Sequence, residues 1–215
     1  MRIYNYILFC CFFVVLHQTV LAQTFKGGAI IGSNFSQIDG DGMAGYNKFG
    51  LQAGVTGQFK IKGNWSLGLD VLFTQKGSAT TLIGANKFGH SMLKWHYAEV
   101  PVWVRYHDAK GGFYFGGGLA LSRLLSYQYL TDGEDFSELF YTPTTPKKME
   151  ISYFADVAYH FKPFLGIGFR YQYSLFPAGR MCIYPFPPEN ERQCRQFNNL
   201  VSLRLMFIFS ALMSK

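Results

Sequence analysis

The sequence predicts an all-β fold: an eight-stranded antiparallel transmembrane β-barrel preceded by a signal peptide. Three observations carry this expectation. The only long apolar run stands at the N-terminus, apolar and polar residues alternate with period two through the rest, and short and long connections alternate strictly along the chain.

The N-terminal run comes first. Arg2 gives a positive start, Ile7 to Leu16 is apolar, and Val20-Leu21-Ala22 has the small-x-small form of a cleavage site before Gln23. The run is too short to span a bilayer comfortably. Residues 1–22 are therefore expected to be a cleaved signal peptide and residues 23–215 an outer-membrane barrel domain; an uncleaved anchor is the alternative. No cysteine follows Ala22, which argues against a lipid anchor.

The strands follow in order. Phe25–Ser33 opens the series. Phe49, Leu51, Ala53, Val55 and Phe59 then oppose Lys48, Gln52, Thr56, Gln58 and Lys60. In Trp65 to Lys76, Trp65, Leu67, Leu69, Val71 and Phe73 share one apolar face, while Ser66, Gly68, Asp70, Leu72, Thr74 and Lys76 share the other, mostly small, polar or charged. Ala98, Val100, Val102, Val104 and Tyr106 oppose Tyr97, Glu99, Trp103 and Arg105. Phe113–Ser126 is the fifth strand. Ile151 to Tyr159 sets Asp156 and His160 against Tyr153, Ala155 and Val157. Leu165 to Tyr173 sets Arg170 and Gln172 against Ile167, Phe169 and Tyr171. Val201 to Phe209 sets Ser202 and Arg204 against Leu203, Leu205 and Phe207.

Connections discriminate between architectures. Residues 61–64, 107–112 and 161–163 are short links rich in turn formers. Residues 34–47, 81–90, 128–148 and 177–196 are long. Short periplasmic turns with long external loops are the pattern of membrane barrels. A soluble sandwich would also alternate, but its dry core would not tolerate charges on the second face. Aromatics also gather on the apolar face near strand ends: Phe59, Trp65, Tyr106, Phe113 and Tyr159 by the short turns, Phe49, Phe73, Tyr153 and Tyr173 by the long loops. That distribution suits two interfacial girdles.

Two segments carry a family resemblance. Asn34-Phe35-Ser36 follows the opening strand, and Tyr97, Glu99 and Pro101 stand in HYAEVPVWVRY (His96 to Tyr106). Across the mature chain the sequence resembles the PorT-like outer-membrane β-barrel family. The resemblance implies an outer-membrane barrel. It implies a role in protein secretion of the type IX kind only by analogy of fold.

Eight strands leave an interior just wide enough for side chains. Parity turns Asp70, Glu99 and Asp156 inward together with Arg105, Arg170 and Arg204, so a lumen charge network is expected, as a plug or as a path for protons or small solutes. Cys182 and Cys194 are the two thiols of the mature chain, and in an exported protein they suggest a disulfide, with free thiols as the alternative. Net charge is +7. Export disfavours nucleic acid as the partner, and the basic excess suits lipopolysaccharide phosphates or a charged barrel interior.

Chemistry is sparse. His90-Ser91, His96 and Glu99 are the residues a lipid-A-modifying enzyme would use, yet His96 and Glu99 have opposite parity and no base–nucleophile pair with a supporting acid is evident. Asp39-Gly40-Asp41-Gly42 lacks the spaced ligands of a calcium loop, and no Cys/His set has zinc spacing. Gly116-Gly117-Gly118 lies within a strand and permits close packing. The expectation is a non-enzymatic protein without cofactor or metal. Its long loops would offer Lys147, Lys148, Arg180, Arg192 and Arg195 to lipopolysaccharide. They would offer Tyr127, Tyr129, Phe136, Phe140, Tyr141, Tyr184 and Phe186 to envelope or secretion proteins.

Overall fold

The computed structural model describes residues 25–81, 90–137, 146–180 and 195–209. Ten strands are found there: β1 (Lys26–Asp39), β2 (Lys48–Lys62), β3 (Trp65–Ala79), β4 (Ser91–Asp108), β5 (Phe113–Thr131), β6 (Glu134–Asp135), β7 (Met149–Lys162), β8 (Leu165–Ser174), β9 (Gly179–Arg180) and β10 (Arg195–Ile208). The eight long ones run antiparallel in the order β1-β2-β3-β4-β5-β7-β8-β10, and β10 returns to pair with β1 from Gly28↔Ile208 to Asp39↔Phe197. The eight-stranded barrel expected from the sequence is therefore closed. Closure pairs the backbone polar groups, which hydrocarbon would otherwise leave unsatisfied at several kcal/mol each. The described residues contain no helix long and apolar enough to cross a membrane; the chain crosses with strands.

Polarity is reversed relative to a soluble domain. Val55, Leu119 and Phe169 are about half exposed on the outside, whereas Asp70, Glu99, Arg170 and Arg204 are fully buried inside. An apolar exterior over a charged interior is stable only with lipid outside. The expected girdles also form: Trp65 meets Tyr106 at 5.2 Å and Phe113 meets Tyr159 at 5.1 Å near the short turns, while Tyr153 meets Tyr173 at 6.0 Å near the long loops.

Several strands run further than the alternation suggests. β1 continues to Asp39, β3 to Ala79 and β5 to Thr131, shortening the first loop to residues 40–47. β4 and β5, at 18 and 19 residues, are roughly twice as long as an inclined strand needs to cross. They stay paired up to Ser91↔Thr131, where Asp132 and Gly133, both with positive φ, turn the chain into β6. Period two is lost there because a bulge at Leu125 shifts the register between His96 and Tyr97. It brings Tyr129, rather than its neighbours, to the inside. Pro101, which has no N–H to donate, coincides with a gap in the β3–β4 ladder between Leu69↔Val102 and Leu72↔Glu99.

The expected signal peptide and both Cys182 and Cys194 lie outside the described residues, as do Phe140, Tyr141, Tyr184, Phe186 and Arg192.

Candidate functional site: the barrel lumen

The inward charges sort into two layers. The first surrounds Asp156. Its Oδ1 accepts from Arg105 Nε at 3.1 Å, and its Oδ2 accepts from Arg105 Nη2 at 2.9 Å, Arg170 Nη2 at 2.8 Å and Arg204 Nη2 at 3.0 Å. Strand register explains the convergence. Asp156 pairs with Arg170 on β8 and with Gly116 on β5, and Gly116 in turn pairs with Arg105 on β4. A Cβ on Gly116 would sit 2.4 Å from Arg105 Cγ and 2.9 Å from Asp156 Oδ1, so only glycine lets the guanidinium cross β5 to its carboxylate. Asp70 is the second acid of this layer. It accepts from Thr56 Oγ1 at 2.7 Å and Trp103 Nε1 at 2.8 Å, and its Oδ2 faces Arg170 at 3.5 Å and Arg204 at 3.8 Å. Arg105 lies over the Trp103 ring at 3.9 Å and Arg170 over Phe154 at 3.7 Å. These stacks fill space that the guanidiniums' hydrogen bonds do not.

Glu99 does not join the arginines. It belongs to a second layer toward the loops, where Lys76 Nζ reaches it at 2.7 Å and reaches Glu150 at 3.4 Å. Ser122 Oγ and Gln172 Nε2 donate to Glu99 Oε2 at 2.9 and 3.0 Å. Ser174 Oγ and Asn198 Nδ2 donate to Glu150 at 2.7 and 2.8 Å. Lys76 and Glu150 complete the network and were not singled out from the sequence. The parity of Lys76 already pointed inward; Glu150 stood at the edge of an expected loop. The ion pairs of the described residues join four cations to four carboxylates. This ion-pair network is thus neutral in sum, the arrangement that lets charges persist away from water.

Both ends of this column are covered. Toward the loops, Ile38, Leu93, Trp95, Tyr97, Tyr129 and Ala178 form a buried apolar cap, with Met43 inserted from the first loop. Toward the short turns, Tyr114 stacks on His107 at 4.3 Å and lies 4.7 Å from His160.

The sequence matches the family described as "outer membrane protein beta-barrel domain" over residues 19–178, well over half of the chain. The chain belongs to that family. It is an outer-membrane β-barrel protein. Solved structures similar to it include Ail, the attachment invasion locus protein of Yersinia pestis, at 12% identity and a TM-score of 0.48, covering 86% of this chain and 99% of that one. Neisserial surface protein A is similar at 11% identity and a TM-score of 0.47, covering 85% and 96%. OprG from Pseudomonas aeruginosa is similar at 12% identity and a TM-score of 0.35, covering 86% and 94%. No curated protein sequence matches the chain.

Within this family frame, the residues behind the PorT-like resemblance have structural positions in the wall and lumen. Asn34 is buried and donates to Gln75 O at 3.2 Å, Tyr97 lies in the apolar cap, and Glu99 holds Lys76.

The remaining candidates separate. Tyr129 is buried in the cap, and Tyr127 and Phe136, both partly exposed, pack against it. The β6 strand folds back over β5, Phe136 N–H donating to Tyr129 O at 2.9 Å, and that return brings the rings down onto the cap. Lys147, Lys148 and Arg195 are exposed at the external end, as are Asp132, Glu134 and Asp135. Arg180 ends β9, and its side chain lies outside the described residues.

His90 Nδ1 meets Thr81 Oγ1 at 3.0 Å and Thr80 Oγ1 at 3.3 Å rather than Ser91. His96 Nδ1 meets Ser126 Oγ at 3.1 Å across β4 and β5. That imidazole–hydroxyl pair was invisible in the sequence because the partners are 30 residues apart. No carboxylate joins it among the described residues, so it lacks the group that orients a catalytic histidine.

Asp39 and Asp41 take different hydrogen-bond partners. Asp39 accepts from Gln37 at 2.6 Å, while Asp41 accepts from the Met43 N–H at 2.8 Å. Burial raises the Asp41 carboxyl from 3.8 to about 6. Among the described residues no group of three His, Cys, Asp or Glu side chains is placed to hold a metal.

Proposed function

We propose that the protein is a non-enzymatic envelope barrel whose lumen is closed and whose role is exerted by the external end that rises above the membrane. One observation carries the reading: the neutral ion-pair column capped by Trp95, Tyr97, Leu93 and Ile38 fills the interior with side chains. A solute path would need an open, hydrated interior, as wider barrels have. The extended β4–β5 wall supports the second half. It lifts an acidic tip, Asp132, Glu134 and Asp135, beside exposed Lys147, Lys148 and Arg195. Such mixed charge favours protein partners or lipopolysaccharide phosphates.

The PorT-like motifs support placing the chain near that branch of the family, with an accessory role in secretion or envelope assembly as the partnered form of the same reading. The N-terminal run supports export with cleavage before Gln23. The test is capture of the tagged protein from its own outer membranes in gentle detergent, with mass spectrometry of what accompanies it. The expected result is a reproducible envelope set that is lost when residues 130–135 are replaced by a tight turn and the barrel still folds. A set unchanged by that replacement would overturn the assignment of function to this end.

A further inference from the structure

At the short turns a row of rings floors the mouth of the lumen without filling it. Tyr114 of β5 lies between His107 of β4 and His160 of β7. His160 in turn lies across β8, where a Cβ on its partner Gly166 would fall 2.3 Å from the imidazole. Beside this row stand two cavities of about 360 and 370 Å³. They share Lys26, Gln58 and Tyr114. Lys60 and Ser66 complete the first, and His160 and Lys162 the second. Lys26 pairs with Gln58 and Lys60 with Ser66, and Gln58, Lys60 and Ser66 have the inward parity of Thr56 and Asp70. The ammonium groups therefore belong to the lumen side of the wall.

This mouth carries positive charge without a counter-charge. Lys26, Lys60 and Lys162 take part in no ion pair among the described residues, and no carboxylate lines either cavity. Asp108, in the neighbouring turn, accepts from the N–H groups of Lys110 and Gly111. The ion pairs deeper in the lumen are balanced, four cations to four carboxylates, and leave no negative charge over. Charges of one sign in a cleft with low-dielectric walls concentrate a counter-ion there. The closed wall separates these lysines from the inner leaflet, so that ion arrives from the periplasm, the side that short turns mark.

We propose that the mouth binds one small periplasmic anion carrying two phosphoryl groups, a diphosphate or its monoester, with one phosphoryl group in each cavity and Lys26 between them. Lys60 completes the first half-site and Lys162 the second, and the Gln58 amide and Tyr114 hydroxyl are donors common to both. Lysine holds phosphate as a point charge, without the fixed fork of arginine. A second phosphoryl group on the same molecule makes the second contact intramolecular, which favours a diphosphate over two separate ions. The site lies at the opposite end from the loops and stands or falls independently of the loop reading.

The test is isothermal titration calorimetry of the purified protein in nonionic detergent at physiological ionic strength, with inorganic diphosphate and orthophosphate as probes. The expected result is one diphosphate per barrel, bound at least about tenfold more tightly than orthophosphate. K26Q/K60Q, at exposed positions, should weaken diphosphate by at least about tenfold, and K162Q should bring it to within about twofold of orthophosphate. K62Q/K110Q removes the same charge from the same end but outside both cavities, and should stay within about twofold of the native protein because salt screens distant surface charge. Folding of each variant is checked by heat-modified gel migration. Absence of binding, equal affinity for the two probes, or an equal loss in K62Q/K110Q would overturn the proposal. Displacement of diphosphate by phosphatidylglycerol added to the micelle would place the phosphate's source in the lipid and overturn it as well.

Discussion

Asp156 is the group on which the first lumen layer depends, and Asp156→Ala is the sharpest perturbation of it. The carboxylate is shared by Arg105, Arg170 and Arg204 at 2.8 to 3.0 Å, all three guanidiniums lying almost wholly out of water. Truncation leaves these cations with Asp70 alone, which reaches two of them at 3.5 and 3.8 Å. Removing one partner of a buried pair costs about 3–5 kcal/mol because the other charge stays buried and unpaired. With Arg105 stranded and Arg170 and Arg204 left to the more distant Asp70, the upper end of that range is expected, about 5 kcal/mol.

Reversible urea unfolding in lipid vesicles, followed by the fluorescence of the three tryptophans, reads the change as a lowered midpoint at unchanged slope. A cycle with Arg105→Met completes the test. Removing the cation relieves part of the stranded charge, so the double variant should be more stable than the sum of the single losses predicts, by about 0.5–3 kcal/mol. A loss for Asp156→Ala within about 1 kcal/mol, the scale of an exposed ion pair, would refute the claim that this layer is desolvated. Strict additivity with Arg105→Met would refute the claim that the two groups act together.

Three further outcomes follow from the same geometry. Lys76→Met should destabilise by about 3–5 kcal/mol in the same assay, since Glu99 and Glu150 would lose their shared cation. Gly68→Val should cost about 1–3 kcal/mol and shift Trp103 emission, because its Cβ would fall 2.1 Å from the indole and push Nε1 off Asp70. Asp41 gives a pH signature. Its carboxyl rises from 3.8 to about 6 on folding, so the folded chain holds that proton more tightly. Its contribution is full below pH 3.8, falls as pH rises to about 6, and stays at the lower level above. Thermal unfolding from pH 4 to 7 should show this decline in the native chain and a flatter profile in Asp41→Asn.

Much of this was legible in the sequence because a barrel wall has only two faces. Parity alone turned Asp70, Glu99, Asp156, Arg105, Arg170 and Arg204 inward, and turn composition fixed the three short links. Which cation meets which carboxylate was not legible. Those contacts depend on stagger between strands, so Glu99 found Lys76 rather than an arginine. Neither was the external extension. Above the membrane both faces of β3 are buried at Gly77, Ser78 and Ala79, which erases the alternation, and the bulge at Leu125 reverses it on β5. The same bulge turned Tyr129 from an expected docking residue into part of the cap. The roles of Gly68 and Gly116 were readable only as close packing, since naming the side chain each one seats requires the register.

The closed lumen is the central claim, and single-channel recording of the refolded protein in planar bilayers tests it most directly. The native barrel should show no steady conductance. A stable, reproducible unitary current from the native barrel would contradict it and make the charged column a path rather than a plug.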